Sequence, residues 1–211
     1  MGPANSFHPH GSATRRSDFP LNSGVLTVTK IGYIVGSISS TSLNRQLAEA
    51  VVKLVPEGVE VVEIPIKDLP FYSPDYDADF PQVGTDFKAA IEGVDGVLIV
   101  TPEYNRSIPG VLKNAIEWSA RPYGNMSFSR KPVAVLGGSP GGIATAAGQQ
   151  HLKSVLSHVD AIVMGQPEGF IQVTPGLIEG GEITNEGTKA FLQSFVDTFL
   201  GLVGRVEKAY A

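Results

Sequence analysis

The feature that most constrains this chain is a recurring order, in which a short β-branched apolar run is followed by a segment of helical spacing. Val28 to Val35 is such a run, closed by Gly36, and it reads as a strand. Leu43, Leu47, Ala50, Val51 and Leu54 then recur at helical spacing ahead of Gly58. Val59 to Ile64, Val97 to Thr101, Val133 to Leu136 and Ala161 to Met164 supply four further strands. Helices are predicted over Phe87 to Ile91, over Ile108 to Ser119 with Pro109 in its first turn, and over about 146–158. Phe191, Phe195, Phe199 and Leu202 mark one face of a last helix. Strands that are apolar throughout, each followed by a helix, imply an α/β fold with a parallel sheet covered on both sides.

A chain of 211 residues suits one well-buried domain, expected over residues 25–211. Residues 1–24 hold Pro3, Pro9 and Pro20 among small polar residues and show no apolar periodicity, which reads as a disordered extension. Met1 to Ser6 matches the myristoylation pattern formally, but Pro3 is a poor fit and no polybasic anchor follows. Arg15-Arg16 does not open a twin-arginine signal, because the apolar stretch behind it contains Lys30 and reads as the first strand. There is no internal repeat and no membrane-spanning stretch.

Charge and composition narrow the chemistry. A formal charge of −5 offers no basic surface for nucleic acid or an anionic membrane, so a bound anion has to be held by local geometry. With no cysteine, disulfides, thiolate nucleophiles and cysteine-held metals are excluded, and redox chemistry would need an organic cofactor. His8, His10, His151 and His158 form no zinc-like set, so no metal site is expected.

In an open parallel sheet, ligands bind beyond the carboxyl ends of the strands, and three loops of unusual composition fall on that edge. The first, Gly36 to Asn44, places Ser37, Ser39, Ser42 and Asn44 around a helix N-terminus, where backbone amides attract an anion. Either a phosphate monoester sits there, or the hydroxyls only cap the helix. The loop is neither a P-loop nor Gly-x-Gly-x-x-Gly. The second loop, Thr101 to Gly110, is stiffened by prolines and presents backbone amides, Tyr104, Asn105 and Arg106. It suits a flat heterocycle with edge acceptors, with Arg106 free for a second, anionic ligand; alternatively Arg106 is a solvated charge. The third, Gly137 to Gly142, has four glycines in six residues, which lets its backbone come close to a ligand or simply makes a flexible turn. The connection from Pro65 to Pro81 is long enough to be a functional loop.

Gly36-Ser37, Ser42-Leu43-Asn44 and the run Thr101-Pro-Glu-Tyr-Asn-Arg-Ser-Ile-Pro-Gly110 through Trp118 resemble the NADPH-dependent FMN reductase family, and within it the bacterial quinone and chromate reductases. Ser119 to Gly124, Lys131 to Val133 and Gln149 to Leu152 continue the match, which covers roughly residues 28–203. The resemblance implies a flavodoxin-like three-layer sandwich with a five-stranded parallel sheet in the order 2-1-3-4-5. It also implies FMN held by Ser37, Ser39, Ser42, Leu43 and Asn44 at its phosphate, by Pro102, Glu103, Tyr104 and Asn105 along the ribityl chain and ring edge, and by Ser139 and Gly141 from the other side. Arg106 is the expected contact for the nicotinamide nucleotide or an anionic acceptor. NADPH or NADH would reduce the flavin, which would then pass electrons to a quinone, chromate, an azo compound or free flavin, with no side chain acting as acid or base. The family implies a homodimer, with the loop after the second strand reaching the partner's site, and a tetramer in some members; the cytoplasm is the expected location.

Two departures accompany the match. Many relatives carry an arginine where this chain has Ser39, so the phosphate loses one charge-assisted contact worth about 1.5–3 kcal/mol unless Arg45 or a partner residue compensates. A charged residue linked to tetramers in some relatives is replaced near Ala147. No acidic ribose fingerprint separates NADH from NADPH. The rivals to a reductase are a non-enzymatic electron carrier of the flavodoxin type and a flavin-binding sensor without turnover.

Overall fold

The computed structural model describes residues 29–210. The expected extension at residues 1–24 lies outside them, as does Val28. Strands β1 (Lys30–Val35), β2 (Glu60–Glu63), β3 (Gly96–Val100) and β4 (Pro132–Ser139) alternate with helices α1 (Leu43–Val52), α2 (Gln82–Glu92), α3 (Gly110–Ser119) and α4 (Ala146–His158). Two short strands, β5 (Ile162–Val163) and β6 (Gly169–Gln172), a hairpin β7 (Ile178–Glu179) and β8 (Glu182–Ile183), and the long α5 (Glu186–Tyr210) complete the chain. The parallel order β2-β1-β3-β4-β5 is the expected one.

The fifth position is split. β5 pairs only with the start of β4, through Pro132 and Val133, and β6 takes over alongside Leu136 to Ser139. Gly165, Gln166 and Pro167 interrupt the edge between them. The apolar run from Ala161 to Met164 accounts for the first piece only.

The strand periodicity explains the two-sided core. Ile31, Val35, Leu98, Val100, Ala134 and Leu136 face α1 and α5, while Ile34, Val97, Ile99, Val133 and Val135 face α2, α3 and α4. The central strand β3 is buried at every position, and edge strand β2 at none. Along α5 the buried stripe is Leu192, Phe195, Val196, Phe199 and Val203; Phe191, predicted to share that face, is exposed. No helix of the described residues is long and apolar enough to cross a membrane.

Candidate functional site

Three chain segments leave the carboxyl ends of β1, β3 and β4 and enclose one cleft. At their base the strands stay joined, since the Gly36 amide donates to the Val100 carbonyl at 2.8 Å and that of Thr101 to Leu136 at 2.9 Å. Beyond that line the chains splay apart. The cleft between them has a volume of about 300 Å³, at the low end for small-molecule sites. Ser37, Ser39, Ser42, Leu43 and Asn44 line it from the first loop, Pro102, Glu103 and Tyr104 from the second, and Ser139 from the third, so most of the expected cofactor residues are brought together. Asn105, Arg106 and Gly141 are not among its lining residues. Thr41, Gly138 and Pro140 line it without having been singled out from the sequence.

In the first loop the hydroxyl oxygens are engaged as acceptors. Ser37 Oγ accepts from the Ser39 amide at 3.3 Å, Ser42 Oγ caps α1 by accepting from the Arg45 amide at 3.2 Å, and Ser39 Oγ accepts from the Thr41 amide at 3.3 Å. Among the described residues, no hydrogen bond has the Ser37 or Ser42 hydroxyl as its donor, so those protons remain to be donated. The first-turn amides of Leu43 and Asn44 stand beside them at the positive end of α1. Capping and anion binding are therefore compatible uses of the same residues. A phosphate monoester fits this donor set, and the cleft is lined by no lysine or arginine. Arg45 does not line this cleft: its guanidinium makes a two-pronged contact with Glu63, at 2.8 and 3.1 Å, in the neighbouring pocket that Ser37 and Ser39 also line. That contact holds the Glu63 carboxyl below the usual glutamate range, and burial together with Glu63 pushes the Tyr33 phenol up to about 12.

The second loop is a tight hairpin turn. Tyr104 and Ser107 exchange two backbone hydrogen bonds of 2.9 Å, with Asn105 at φ 52° and Arg106 at φ 66° between them. Two successive left-handed residues define a turn of the I′ type, in which Asn is readily accommodated and Arg is not. Backbone strain of this kind collects at functional sites. Arg106 is turned to the rim, 69% exposed, with its guanidinium 3.4 Å from Glu103. The Glu103 carboxylate faces away from the cleft: it accepts from the Gly148 amide at 2.9 Å and caps α4, whose own N-cap residue Thr145 makes no side-chain cap bond. Ser107 Oγ lies 3.0 Å from His151 Nδ1 on α4, a second tether of the same loop.

The glycines of the third loop divide into two groups, which corrects the reading of Gly137 to Gly142 as one loop. Gly137 and Gly138 belong to β4 and are buried. A Cβ on Gly137 would lie 2.2 Å from the Thr101 carbonyl oxygen, and one on Gly138 would lie 2.8 Å from Val173. Here the close approach is to the protein itself. Gly141 and Gly142 are exposed in the turn beyond, with Ser139 Oγ accepting from the Gly141 amide at 3.2 Å.

Sequence and structure comparisons place the chain among known proteins. The profile of a family described as NADPH-dependent FMN reductase matches residues 29–174. A 2-hydroxy-1,4-benzoquinone reductase from Burkholderia sp is 46% identical over 175 residues, covering 82% of this chain and 96% of that one. A quinone reductase from Escherichia coli strain K12 is 37% identical over 182 residues, covering 82% and 95%. Among solved structures, the flavoenzyme NAD(P)H:(acceptor) oxidoreductase FerB from Paracoccus denitrificans superposes with a TM-score of 0.80 at 44% identity, covering 86% of this chain and 98% of that chain.

Proposed function

Because this chain belongs to the NADPH-dependent FMN reductase family, we propose that it is an FMN-dependent NAD(P)H oxidoreductase whose acceptors are small molecules, quinones first among them. The observation that carries this is the cleft, with the Ser37 and Ser42 hydroxyls and the first amides of α1 at one end and the Pro102–Tyr104 and Ser139 segments at the other. Ser37, Ser39, Ser42, Leu43 and Asn44 would hold the phosphate through hydroxyls and main-chain amides. Pro102, Glu103, Tyr104 and Asn105 would line the ribityl chain and ring edge, Glu103 through its backbone since its carboxylate is committed to α4. Ser139 and Gly141 would close the other side. Bound FMN supplies two-electron chemistry between NAD(P)H and an acceptor, which the protein orients and shields.

One cleft serves donor and acceptor in turn, a two-step scheme in which chromate, azo compounds and free flavin are further acceptors. Arg106, exposed at the rim, would meet the phosphates of the donor or an anionic acceptor. The assembly is a homodimer, with a tetramer as the larger form. The exposed rings of Phe71 in the connection after β2 and of Tyr123 in the connection after α3 support a covered face. The cytoplasm, where NAD(P)H is abundant, is the working compartment. The purified protein is loaded with FMN and mixed with NADPH under anaerobic conditions. Direct bleaching, and recovery of colour on adding benzoquinone, is the expected result. A protein that stays yellow is a carrier, and slow bleaching that quinone does not reverse marks a sensor; either outcome overturns the proposal.

A further inference from the structure

Asn44 was expected at the phosphate as a ligand, but its side chain is buried and turned elsewhere. Its Nδ2 donates to the Gly138 carbonyl at 2.9 Å and its Oδ1 accepts from the Gly138 amide at 2.8 Å. The register of the sheet explains why. β3 pairs with β4 only as far as Val100 opposite Leu136, after which the chain departs at Pro102. In a parallel ladder successive residues direct their backbone groups to opposite neighbours. The Leu136 carbonyl accepts from Thr101 on the β3 side and the Ser139 carbonyl from Val173 on the β6 side. The N–H and C=O of Gly138 therefore point into the gap that β3 has left, and a buried peptide group in that position has to be paired.

We infer that Asn44 is a positioning residue: its carboxamide stands in for the missing peptide of β3 and sets the distance between the first loop and the third. The inference rests on FMN occupying the cleft, because its consequence is that both ends of the flavin depend on one side chain. Asparagine is suited to this: aspartate lacks the donor and leucine lacks both groups. The neighbouring packing agrees, since a Cβ on Gly138 would lie 2.8 Å from Val173, 3.0 Å from Leu47 and 3.3 Å from Leu43, so side chains of the same core pack directly against this residue.

The test compares FMN with riboflavin, which lacks the phosphate. Asn44→Ala should weaken both flavins by a similar factor, about tenfold or more. Amide hydrogen exchange at Gly138 should quicken while α1 stays protected. Loss of FMN affinity alone, with riboflavin binding and Gly138 exchange unchanged, would make Asn44 a phosphate ligand and overturn the inference; so would no change in either flavin. If Asn44→Ala folds poorly, Asn44→Asp keeps the acceptor for the Gly138 amide: riboflavin affinity should still fall, and unchanged affinity refutes the inference. A wild-type protein that binds neither flavin refutes the FMN proposal, and Gly138 exchange in Asn44→Ala then decides the clasp by itself.

Discussion

Two connections leave neighbouring strands at the same edge of the sheet, and they are held by opposite means. The loop after β1 is short and polar, kept in shape by hydroxyl-to-amide bonds with Ile38 left exposed. The connection after β2, residues 65–81, is long yet anchored by aromatic packing: Tyr72, Tyr76 and Phe80 surround the fully buried Trp118, with ring centroids 5.3–5.5 Å apart. The Trp118 indole N–H donates to the Pro70 carbonyl at 2.7 Å, and Asn114 bonds the Pro70 carbonyl and the Tyr72 amide. Length is thus a poor guide to order. The short loop keeps hydrogen-bonding capacity for a ligand, whereas the long one turns its other aromatic rings onto α3 and leaves that of Phe71 out in solvent.

Substitutions should separate these two designs. The largest effect is expected for Trp118→Ala, which removes the anchor and a fully buried ring; a loss of about 3–5 kcal/mol in denaturant unfolding is the prediction. Gly84→Ala strikes the same cluster from α2, since its Cβ would lie 2.6 Å from the Trp118 ring and 2.7 Å from Phe80. Overpacking of that kind costs about 1–3 kcal/mol, again read by unfolding. In the polar loop, Ser42→Ala should cost only about 1 kcal/mol of stability as a lost cap. On the proposed placement of the phosphate it should nonetheless weaken FMN more than riboflavin in a fluorescence titration, because the hydroxyl it removes lines that end of the cleft.

The smallest effect belongs to Glu63→Gln, which breaks a half-exposed pair worth less than about 1 kcal/mol. Its sign with pH is definite. The folded protein holds Glu63 below its unfolded pKa, so the wild-type advantage is complete above the ordinary glutamate range and disappears as pH falls through the lowered value. A stability difference between wild type and Glu63→Gln that persists in strong acid would show that the pair acts by packing instead of charge.

Much of the fold could be read from the chain. The five strands and their order followed from apolar runs and a family resemblance, and the predicted helix at about 146–158 matches α4. Three short strands ahead of α5 were missed. β6 follows a break at Gly165 to Pro167, and the β7–β8 hairpin, turned on Gly180 and Gly181, has only two residues in each arm, too few for periodicity to register. The Gly-Gly pair flanked by Ile178 and Ile183 was the available signal. At the site, residue type identified the lining of the cleft but not the direction of each side chain. Arg45 and Glu103 face partners that lie far away in sequence, 18 and 45 residues respectively.

By itself the sequence determined what the loops contain, namely donors without lysine, a proline-bounded turn and a run of glycines, because composition and local spacing are properties of the chain. Only the tertiary structure decided which of those groups remain for a ligand. Asn44 is the clearest case, since its amide is claimed by a strand 94 residues on that lost its neighbour where β3 turned away. Whether a buried polar group is free depends on every backbone around it, and that is settled when the sheet closes.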